Sequence, residues 1–242
     1  MRKAIAFLGC AMAMAACDKH DPVLPGVRTA VFDTTSVAVK NKTITDLPVT
    51  EININNNDCP YTQDNANVIR KGDKKIFSGF PTKNTVAADK QPLCDGKYIY
   101  AGLTTGEVVK INPNNRNIMW IADVFRPNNM TGGAPMVDIV TPIIPIKNAI
   151  LVGGLGDAFC KLNTTSGAKQ WCINIGVAVP FTVTENYTFV AATDNNLYAI
   201  DNKDGSAIWK TAIDKQYKPK LDGKTLIIGR QKFDIATGNV IN

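Results

Sequence analysis

The sequence contains a single histidine among 242 residues, and this scarcity narrows the chemistry open to the protein. The residue, His20, lies near the start of the chain, in a stretch interpreted below as a tether. A His-based triad or a histidine metal site held by the folded domain is therefore excluded. A Gly-rich phosphate loop and a zinc-spaced cysteine cluster are also missing, and no cofactor is expected.

Strong charge of one sign is missing as well. The 27 Lys and Arg residues against 21 Asp and Glu give a net charge of +6, which is mild. These charges are scattered and form no basic helix or aromatic-interleaved stripe, so nucleic-acid binding is excluded. A mildly basic surface fits acidic partners or anionic lipids. No ten-residue stretch of the mature chain has a helical period, which favours an all-β fold.

Long hydrophobic runs are absent too. The apolar run from Ala4 to Ala13 is shorter than the ~20 residues that a membrane-spanning helix needs. Arg2 and Lys3 precede this run, and Met14 followed by the small residues Ala15 and Ala16 leads into Cys17. This layout is typical of a secretory signal peptide over residues 1–16, removed from the mature chain.

A cysteine directly after small residues resembles the lipobox of bacterial lipoproteins. The resemblance implies that Cys17 becomes the lipidated, palmitate-carrying first residue and that residues 17–27 form a tether. Asp18 resembles an inner-membrane retention signal, so the choice between inner and outer membrane stays open.

The chain repeats one pattern: an apolar strand, Asn or Asp, a polar turn, and a second apolar strand ending in Trp. The copies run from Val108 to Trp120, from Phe159 to Trp171 and from Leu197 to Trp209, and a trimmed copy covers residues 232–240. Repeats at this spacing decide the architecture before other signals are weighed.

Each unit begins with a proline, and the four are Pro92, Pro142, Pro180 and Pro219. The unit after Pro180 contains four short strands bounded by turn residues. A four-stranded unit of about 40 residues has the length of one β-propeller blade. The sequence therefore predicts an all-β propeller of four-stranded antiparallel blades, about four or five in number.

The tryptophans are predicted to pack between neighbouring blades. A large ring with a polar N–H suits a half-buried blade edge. Trp120, Trp171 and Trp209 are therefore expected at blade interfaces, and the alternative is that their rings stack on a ligand.

The stretches from Asn148 to Trp171 and from Asn195 to Trp209 resemble quinoprotein-like (PQQ-type) propeller repeats. Among these, they are most similar to the BamB family of outer-membrane assembly lipoproteins, over residues 92–242 more than 28–91. The resemblance implies a lipid anchor in the outer membrane facing the periplasm. It also implies a protein partner, either the barrel-assembly core protein or unfolded barrel substrates.

The number of blades differs from the family, which usually has about eight. Four repeats are clear here, with a possible fifth spread over residues 28–91. Residues 55–91 are predicted to be mostly loop, and 126–136 a long insert. Within a domain of residues 28–242 we expect an N-terminal strand, from Val31–Val39 or Ile44–Ile54, to complete the last blade, because an open arc would expose edges.

Four cysteines follow Cys17, and in an exported protein they permit disulfides in three connectivities. Cys160 and Cys172 flank one turn on adjacent strands, which favours a bridge between them. Cys59 and Cys94 would then tie the N-terminal region to the first clear blade. The alternative for Cys160 and Cys172 is a pair of small core residues.

The partner site follows from the resemblance alone. Contacts in the family lie in loops before a repeat's opening proline, which here is the stretch from Arg126 to Pro142. The resemblance implies Arg126, Met130 and Asp138 as contact residues, and the alternative is that Asp138 caps a turn.

Three functions fit the sequence. The favoured one is a non-enzymatic periplasmic scaffold lipoprotein that assists assembly and insertion of outer-membrane β-barrel proteins. The second is a propeller lipoprotein with another envelope partner, such as peptidoglycan or a transporter. The third is a relative of quinone-dependent dehydrogenases, but their Ca²⁺ site, carboxylate base and cofactor pocket have no counterpart in the residues.

Overall fold

A computed structural model describes residues 37–52, 59–83, 85–86, 91–125 and 136–241. Nineteen strands in these residues form five antiparallel sheets that follow one another along the chain. We number these sheets as blades 1 to 5. Blade 1 has three strands: β1 (Thr62–Gln63), β2 (Val68–Lys71) and β3 (Lys74–Ser78). None of the described residues belongs to a helix long and apolar enough to cross a bilayer.

The other four blades each have four strands in sequence order. Blade 2 contains β4 (Leu93–Cys94), β5 (Ile99–Gly102), β6 (Glu107–Asn112) and β7 (Asn117–Asp123). Blade 3 contains β8 (Ile144–Ile146), β9 (Ala149–Gly153), β10 (Phe159–Asn163) and β11 (Lys169–Ile173). Blade 4 contains β12 (Thr182–Val183), β13 (Tyr187–Ala191), β14 (Asn196–Asp201) and β15 (Ala207–Ala212). Blade 5 contains β16 (Lys220–Asp222), β17 (Thr225–Ile228), β18 (Gln231–Asp234) and β19 (Val240–Ile241). The predicted four-stranded antiparallel blades are confirmed.

The turn between the last two strands of a blade shows why these sequences fold as hairpins. In blade 4, the Asp201 side chain accepts a hydrogen bond from the Lys203 N–H at 2.8 Å. Gly205 donates its N–H to the Asp201 carbonyl and has a φ of +74°, a left-handed conformation that glycine adopts without steric cost. The polar turn in the repeat is therefore a requirement of the backbone.

The hydrophobic core lies between blades. Four clusters of buried residues each contain side chains from two consecutive blades. Because successive side chains of a strand point to opposite faces of its sheet, each buried side chain faces one of the two neighbouring blades. Tyr198 and Ile200 of β14 both face blade 3, whereas Leu197 and Ala199 face blade 5. Each blade is thus apolar on the faces that meet a neighbour, as expected of a propeller.

Blade 1 corrects the prediction that residues 55–91 are mostly loop. Its middle and outer strands carry Lys71, Lys74 and Lys75, which conceal the strand pattern. Only Ile69 and Ile76 are fully buried there, and they pack with blade 2. Because so few residues of these strands are buried, the alternation of apolar and polar residues is too weak to predict the strands from the sequence.

Residues 37–52, which we call the strap, contain the described parts of the two candidate strands, and these parts do not complete the last blade as predicted. Residues 31–36 and 53–54 of the candidate strands lie outside the described residues. Blade 5 has its own outer strand, β19, paired with β18. The strap instead begins on blade 4, where Val39 forms a parallel bridge with Ala207 of β15. Lys42 then donates its N–H to the Ile208 carbonyl at 3.1 Å.

The rest of the strap continues from this edge across the turns of blades 4 and 5. The Ile44 N–H donates to the Ala236 carbonyl of blade 5 at 2.9 Å. Ile44 is only 2% exposed and packs in the cluster between these two blades. The Ile52 N–H finally donates to the Val183 carbonyl of β12 at 2.7 Å. The strap therefore covers the outer edge of blade 4 and ends at its first strand.

Exposed lysines and arginines lie on the two outward faces of this row of blades. Arg70 and Lys75 are exposed on the face of blade 1 that points away from blade 2. Lys220 and Lys232 are exposed on the face of blade 5 that points away from blade 4. Among the described residues, the four buried clusters lie between successive blades and none joins blade 5 to blade 1. Closure of the ring stays a prediction. Polar faces of this kind are typical of terminal repeats.

Candidate binding surfaces

The three tryptophans lie at blade interfaces and donate their indole N–H groups to the next blade. Trp120 donates to the Thr164 carbonyl at 3.1 Å, and Trp171 to the Asn202 carbonyl at 3.1 Å. Trp209 donates to the Ile235 carbonyl at 3.2 Å. Trp120 is 9% and Trp209 3% exposed, and Trp171 is partly buried against the cluster between blades 3 and 4. The rings of Trp120 and Trp209 therefore pack inside the fold and do not present a stacking surface.

Two lysines donate hydrogen bonds to the same carbonyl groups as Trp120 and Trp171. Lys110 donates to the Thr164 carbonyl at 2.7 Å, and Lys161 to the Asn202 carbonyl at 2.9 Å. Each lysine lies directly opposite a tryptophan in its sheet, Lys110 with Trp120 and Lys161 with Trp171. The sequence reasoning missed these lysines, although their repetition before Asn112 and Asn163 was a readable signal.

Both cysteine pairs form disulfides in the structure. Cys160 and Cys172 lie opposite each other on β10 and β11 and are bonded. Cys59, just before blade 1, is bonded to Cys94 on β4 of blade 2. The second bridge therefore connects two blades, which suits a stabilising role.

Asp138 lies inside the fold. It is 1% exposed, and its carboxylate accepts hydrogen bonds from the Thr85 hydroxyl at 2.7 Å and the Val86 N–H at 2.8 Å. A buried carboxylate with these partners anchors a neighbouring segment and cannot be the surface contact that the resemblance implied. Asp138→Arg would place a long cation in this buried position, so this variant would disturb the fold as well as any contact. The other expected residues, Cys17, Arg126 and Met130, lie outside the described residues.

An exposed apolar edge is the feature that the sequence reasoning did not find. The outer strand of blade 2, β7, carries Ile118, Met119 and Ile121, each 48% exposed. With Trp120, these residues form a run of four consecutive apolar positions. Such a run is unusual on an exposed strand unless it has a function, so it could have indicated a contact surface. We call Ile118, Met119 and Ile121 the β7 edge.

The same positions in blade 4 show what such an edge can bind. By register, Ile118 and Met119 correspond to Ala207 and Ile208 of β15, because Trp120 and Trp209 occupy one position. The strap lies on Ala207 and Ile208, which are only 1% and 7% exposed. In the part of the chain that the structure describes, no segment pairs with β7 on its outer side.

Other outer strands are less suited to such contacts. β3 presents Lys74 and Lys75, and β11 presents Lys169 and Gln170, all exposed. Charged residues on an edge strand discourage pairing with another strand. The β7 edge is therefore the most apolar long outer strand among the described blades.

Two buried tyrosines hydrogen-bond to aspartates of turns. The Tyr198 hydroxyl donates to Asp194 at 2.6 Å and the Tyr100 hydroxyl to Asp95 at 2.9 Å. Burial first, and then the hydrogen bond to the carboxylate, raise the pKa of both phenols well above their ordinary value. No group of three His, Cys, Asp or Glu residues in the described ranges could hold a metal ion.

The four-stranded blades and the repeated tryptophan contact define a β-propeller of PQQ-type repeats. A family model described as outer membrane protein assembly factor BamB matches residues 78–211 and 160–240. These matches together cover well over half of the chain, and the chain belongs to this family.

Individual relatives are distant. The protein named outer membrane protein assembly factor BamB from Alkalilimnicola ehrlichii is 18% identical over 126 residues, which are 52% of this chain and 33% of that protein. The chain thus spans about a third of the length of this curated relative.

Two solved structures are similar to the chain. BamB from Moraxella catarrhalis aligns with a TM-score of 0.47 and 12% identity, over 80% of this chain and 66% of that chain. Quinohemoprotein alcohol dehydrogenase from Comamonas testosteroni aligns with a TM-score of 0.44 and 17% identity, over 54% and 22%.

Proposed function

We propose that the protein is a non-enzymatic scaffold lipoprotein of the cell envelope, held through Cys17 in the outer membrane and facing the periplasm. Its task is to assist the assembly of outer-membrane β-barrel proteins. Membership of the BamB family supports this proposal, and so does the name of the curated relative. The partner is the barrel-assembly core protein or an unfolded barrel substrate.

The observation that carries the proposal is the β7 edge. An exposed outer strand offers backbone N–H and C=O groups to an extended segment, and its side chains add apolar contact. Blade 4 of the same chain binds an extended segment at the corresponding positions, through the backbone of residues 39–42. At these positions the β7 edge has Ile118, which is larger than Ala207, and Met119, which is about the size of Ile208. It therefore suits an apolar strand from a partner.

The test is capture of the barrel-assembly core protein, and separately of an unfolded barrel protein, by the full chain. Ile118→Lys with Ile121→Lys places two charges on the β7 edge, and capture of one of the two partners is expected to fall at least about tenfold. The matched control is Val240→Lys with Ile241→Lys, because these residues are 54% and 40% exposed on another outer strand. Equal capture by both variants and the wild type would remove the β7 edge from the proposal.

The lipid anchor has its own test. Labelling cells with radioactive palmitate is expected to mark the wild type and leave Cys17→Ala unlabelled and released from membranes. Density-gradient separation of the two membranes, with Asp18→Ser beside the wild type, reports which membrane holds the protein. Co-purification of only a peptidoglycan fragment or a transporter would favour the second function considered above.

A further inference from the structure

The strap shows what kind of segment an outer strand of this fold binds. Val39 pairs in parallel with Ala207 of β15, and the Lys40 N–H donates to the Ala207 carbonyl at 2.9 Å. Val37 and Val39 are partly buried against the cluster between blades 3 and 4. The Lys40 ammonium forms an ion pair with Asp204, in the turn before β15, at 2.9 Å. The bound segment is therefore extended and parallel to β15, with two apolar side chains followed by a cation.

The turn before β7 has the same hydrogen-bond pattern but a different charge. The Asn115 side chain accepts a hydrogen bond from the Asn117 N–H at 3.0 Å. In blade 4, the Asp204 side chain accepts the corresponding bond from the Ser206 N–H at 2.9 Å. The position that pairs with the strap in blade 4 is therefore occupied by an uncharged asparagine in blade 2. Arg116 follows it, is exposed, and takes part in none of the ion pairs within the described residues.

The neighbouring turns reverse the sign of charge at this end of the strand. In blade 4, the turns over residues 184–187 and 201–206 contain three acids and one lysine, which give a net charge of −2. In blade 2, the turns over residues 95–98 and 112–117 contain Asp95, Lys97 and Arg116, which give a net charge of +1. The end of β15 that receives a lysine is thus acidic, whereas the same end of β7 is basic and complementary to an acid.

The apolar part of the site is present beside both strands. In strand register, Phe77 of blade 1 takes the position that Trp171 has in blade 3. Phe77 is partly buried against the cluster between blades 1 and 2. Trp171 is partly buried against the cluster between blades 3 and 4, where the strap valines also pack. Ile118 provides the apolar surface that Ala207 provides on β15, and no segment of the described residues pairs with β7 there.

We propose that the β7 edge selects an extended segment with two apolar side chains at alternate positions, followed by acidic residues. This inference rests on the proposed role of the β7 edge as a partner-binding strand. The segment runs parallel to β7, its apolar side chains pack between Phe77 and Ile118, and its acids face Arg116. The strap of a second copy would instead bring Lys40 and Lys42 to Arg116, so like charge disfavours it.

The experiment measures the binding of three end-blocked peptides, each with an uncharged fluorophore, to the full chain by fluorescence anisotropy at low ionic strength. Val-Ala-Val-Glu-Asn-Glu, the glutamate peptide, has the strap sequence with both lysines replaced. Val-Ala-Val-Lys-Asn-Lys, the lysine peptide, is the strap sequence itself, and Ser-Ala-Ser-Glu-Asn-Glu lacks the apolar side chains. The glutamate peptide is expected to bind at least about fivefold more tightly than either of the others, a modest factor because Arg116 is exposed.

Reversal of the charge localises the binding. Arg116→Glu is expected to weaken binding of the glutamate peptide at least about fivefold and to strengthen binding of the lysine peptide, a reversal that a folding defect cannot produce. The matched control is Arg230→Glu, which makes the same change at an exposed turn residue of blade 5 and should leave both affinities unchanged.

Four results would overturn the proposal: equal binding of the glutamate and lysine peptides, absence of binding by all three peptides, no reversal in Arg116→Glu, or tighter binding of the lysine peptide by the wild type. The last result would identify the strap of a second copy as the occupant. Tighter binding of a reversed peptide, Glu-Asn-Glu-Val-Ala-Val, than of the glutamate peptide would overturn the parallel direction.

The peptide experiment fails independently of the partner-capture test. Preference for the glutamate peptide, with no capture of either barrel partner, would retain this selectivity and contradict the proposed function. Partner capture that is lost in Ile118→Lys with Ile121→Lys, with equal binding of the peptides, would retain the proposed function and contradict the selectivity.

Discussion

Trp120 and Gly167 fit each other across the boundary between blades 2 and 3. A Cβ atom at Gly167 would lie 2.7 Å from the indole ring, closer than side-chain carbons approach. The same relationship joins Trp171 with Gly205 and Trp209 with Gly238, at 2.6 and 2.5 Å. The glycine in the turns of blades 3, 4 and 5 is therefore needed for its backbone conformation and also for the tryptophan ring of the preceding blade.

Gly205→Ala is expected to lower the free energy of unfolding by about 2–5 kcal/mol. The left-handed backbone contributes about 1–2 kcal/mol of this loss, and overpacking against Trp171 contributes about 1–3 kcal/mol. Urea unfolding followed by tryptophan fluorescence measures the change.

The matched control is Gly223→Ala. Gly223 also has a left-handed φ, +59°, but a Cβ there would meet no atom within 4 Å. This variant should lose only the backbone part, about 1–2 kcal/mol. Equal losses at the two glycines would show that the contact with Trp171 contributes nothing.

The two disulfides are expected to stabilise the fold unequally. Cys59 and Cys94 are 35 residues apart in the sequence, and Cys160 and Cys172 are 12 apart. A bridge that closes a longer loop removes more entropy from the unfolded chain, so we expect losses of about 4 and about 3 kcal/mol when each pair becomes alanine. Thermal and urea unfolding of both double variants, under non-reducing conditions, measure the order, and a larger loss at Cys160 and Cys172 would contradict it.

The repeat explains how much could be predicted. Regular alternation of apolar residues in β14 and β10, with polar turns at fixed spacing, was enough to predict blades and their inward faces. Blade 1 could not be predicted, because Phe77, opposite Ile69, occupies the tryptophan position of the other blades, and Lys71 and Lys74 flank its turn. The strands of blade 1 bury so little surface that their sequence alone does not predict them, and they become evident only in the structure, where they pack beside blade 2.

The strap and the β7 edge depend on contacts distant in sequence. Nothing local in residues 37–52 indicates that Val39 pairs with Ala207, some 170 residues later. Similarly, the exposure of Ile118 follows from the absence of such a segment on β7 among the described residues, and not from the composition of β7. The predicted roles of Cys17, Arg126 and Met130 stay predictions.

Ile44→Ala tests how the strap is held. Ile44 is 2% exposed in the cluster between blades 4 and 5, so its truncation should cost about 2–5 kcal/mol and loosen the strap. Trypsin cleavage after Lys42, followed by mass spectrometry, should become faster under native conditions.

The comparison variant is Lys40→Ala, which removes the ion pair between Lys40 and Asp204 at 2.9 Å. Because these side chains are 41% and 52% exposed, their pair contributes only about 0–1 kcal/mol after screening by solvent. Cleavage after Lys42 should change little. Faster cleavage in Lys40→Ala than in Ile44→Ala would mean that charge, and not burial, holds the strap.

The pH dependence of stability should reveal the buried tyrosines. Burial, the hydrogen bond to Asp194 and its negative charge raise the pKa of Tyr198 above the ordinary value near 10. Above about pH 10 the phenol of the unfolded chain ionises while that of the folded chain keeps its proton. Unfolding then releases a proton. The contribution of Tyr198 to the free energy of unfolding is therefore fully present below pH 10 and is lost as the pH rises towards the folded-state pKa.

Tyr198→Phe is expected to remove one such contribution, at most about 1.4 kcal/mol per pH unit. Its free energy of unfolding should therefore fall less steeply than that of the wild type between pH 9.5 and 11.5, roughly the range where a free phenol titrates. Tyr100→Phe should act alike, because the Tyr100 hydroxyl donates to Asp95. Tyr217→Phe, at a side chain 49% exposed, controls for the substitution itself. Parallel curves for Tyr198→Phe and the wild type would show that the buried hydroxyl is not linked to folding.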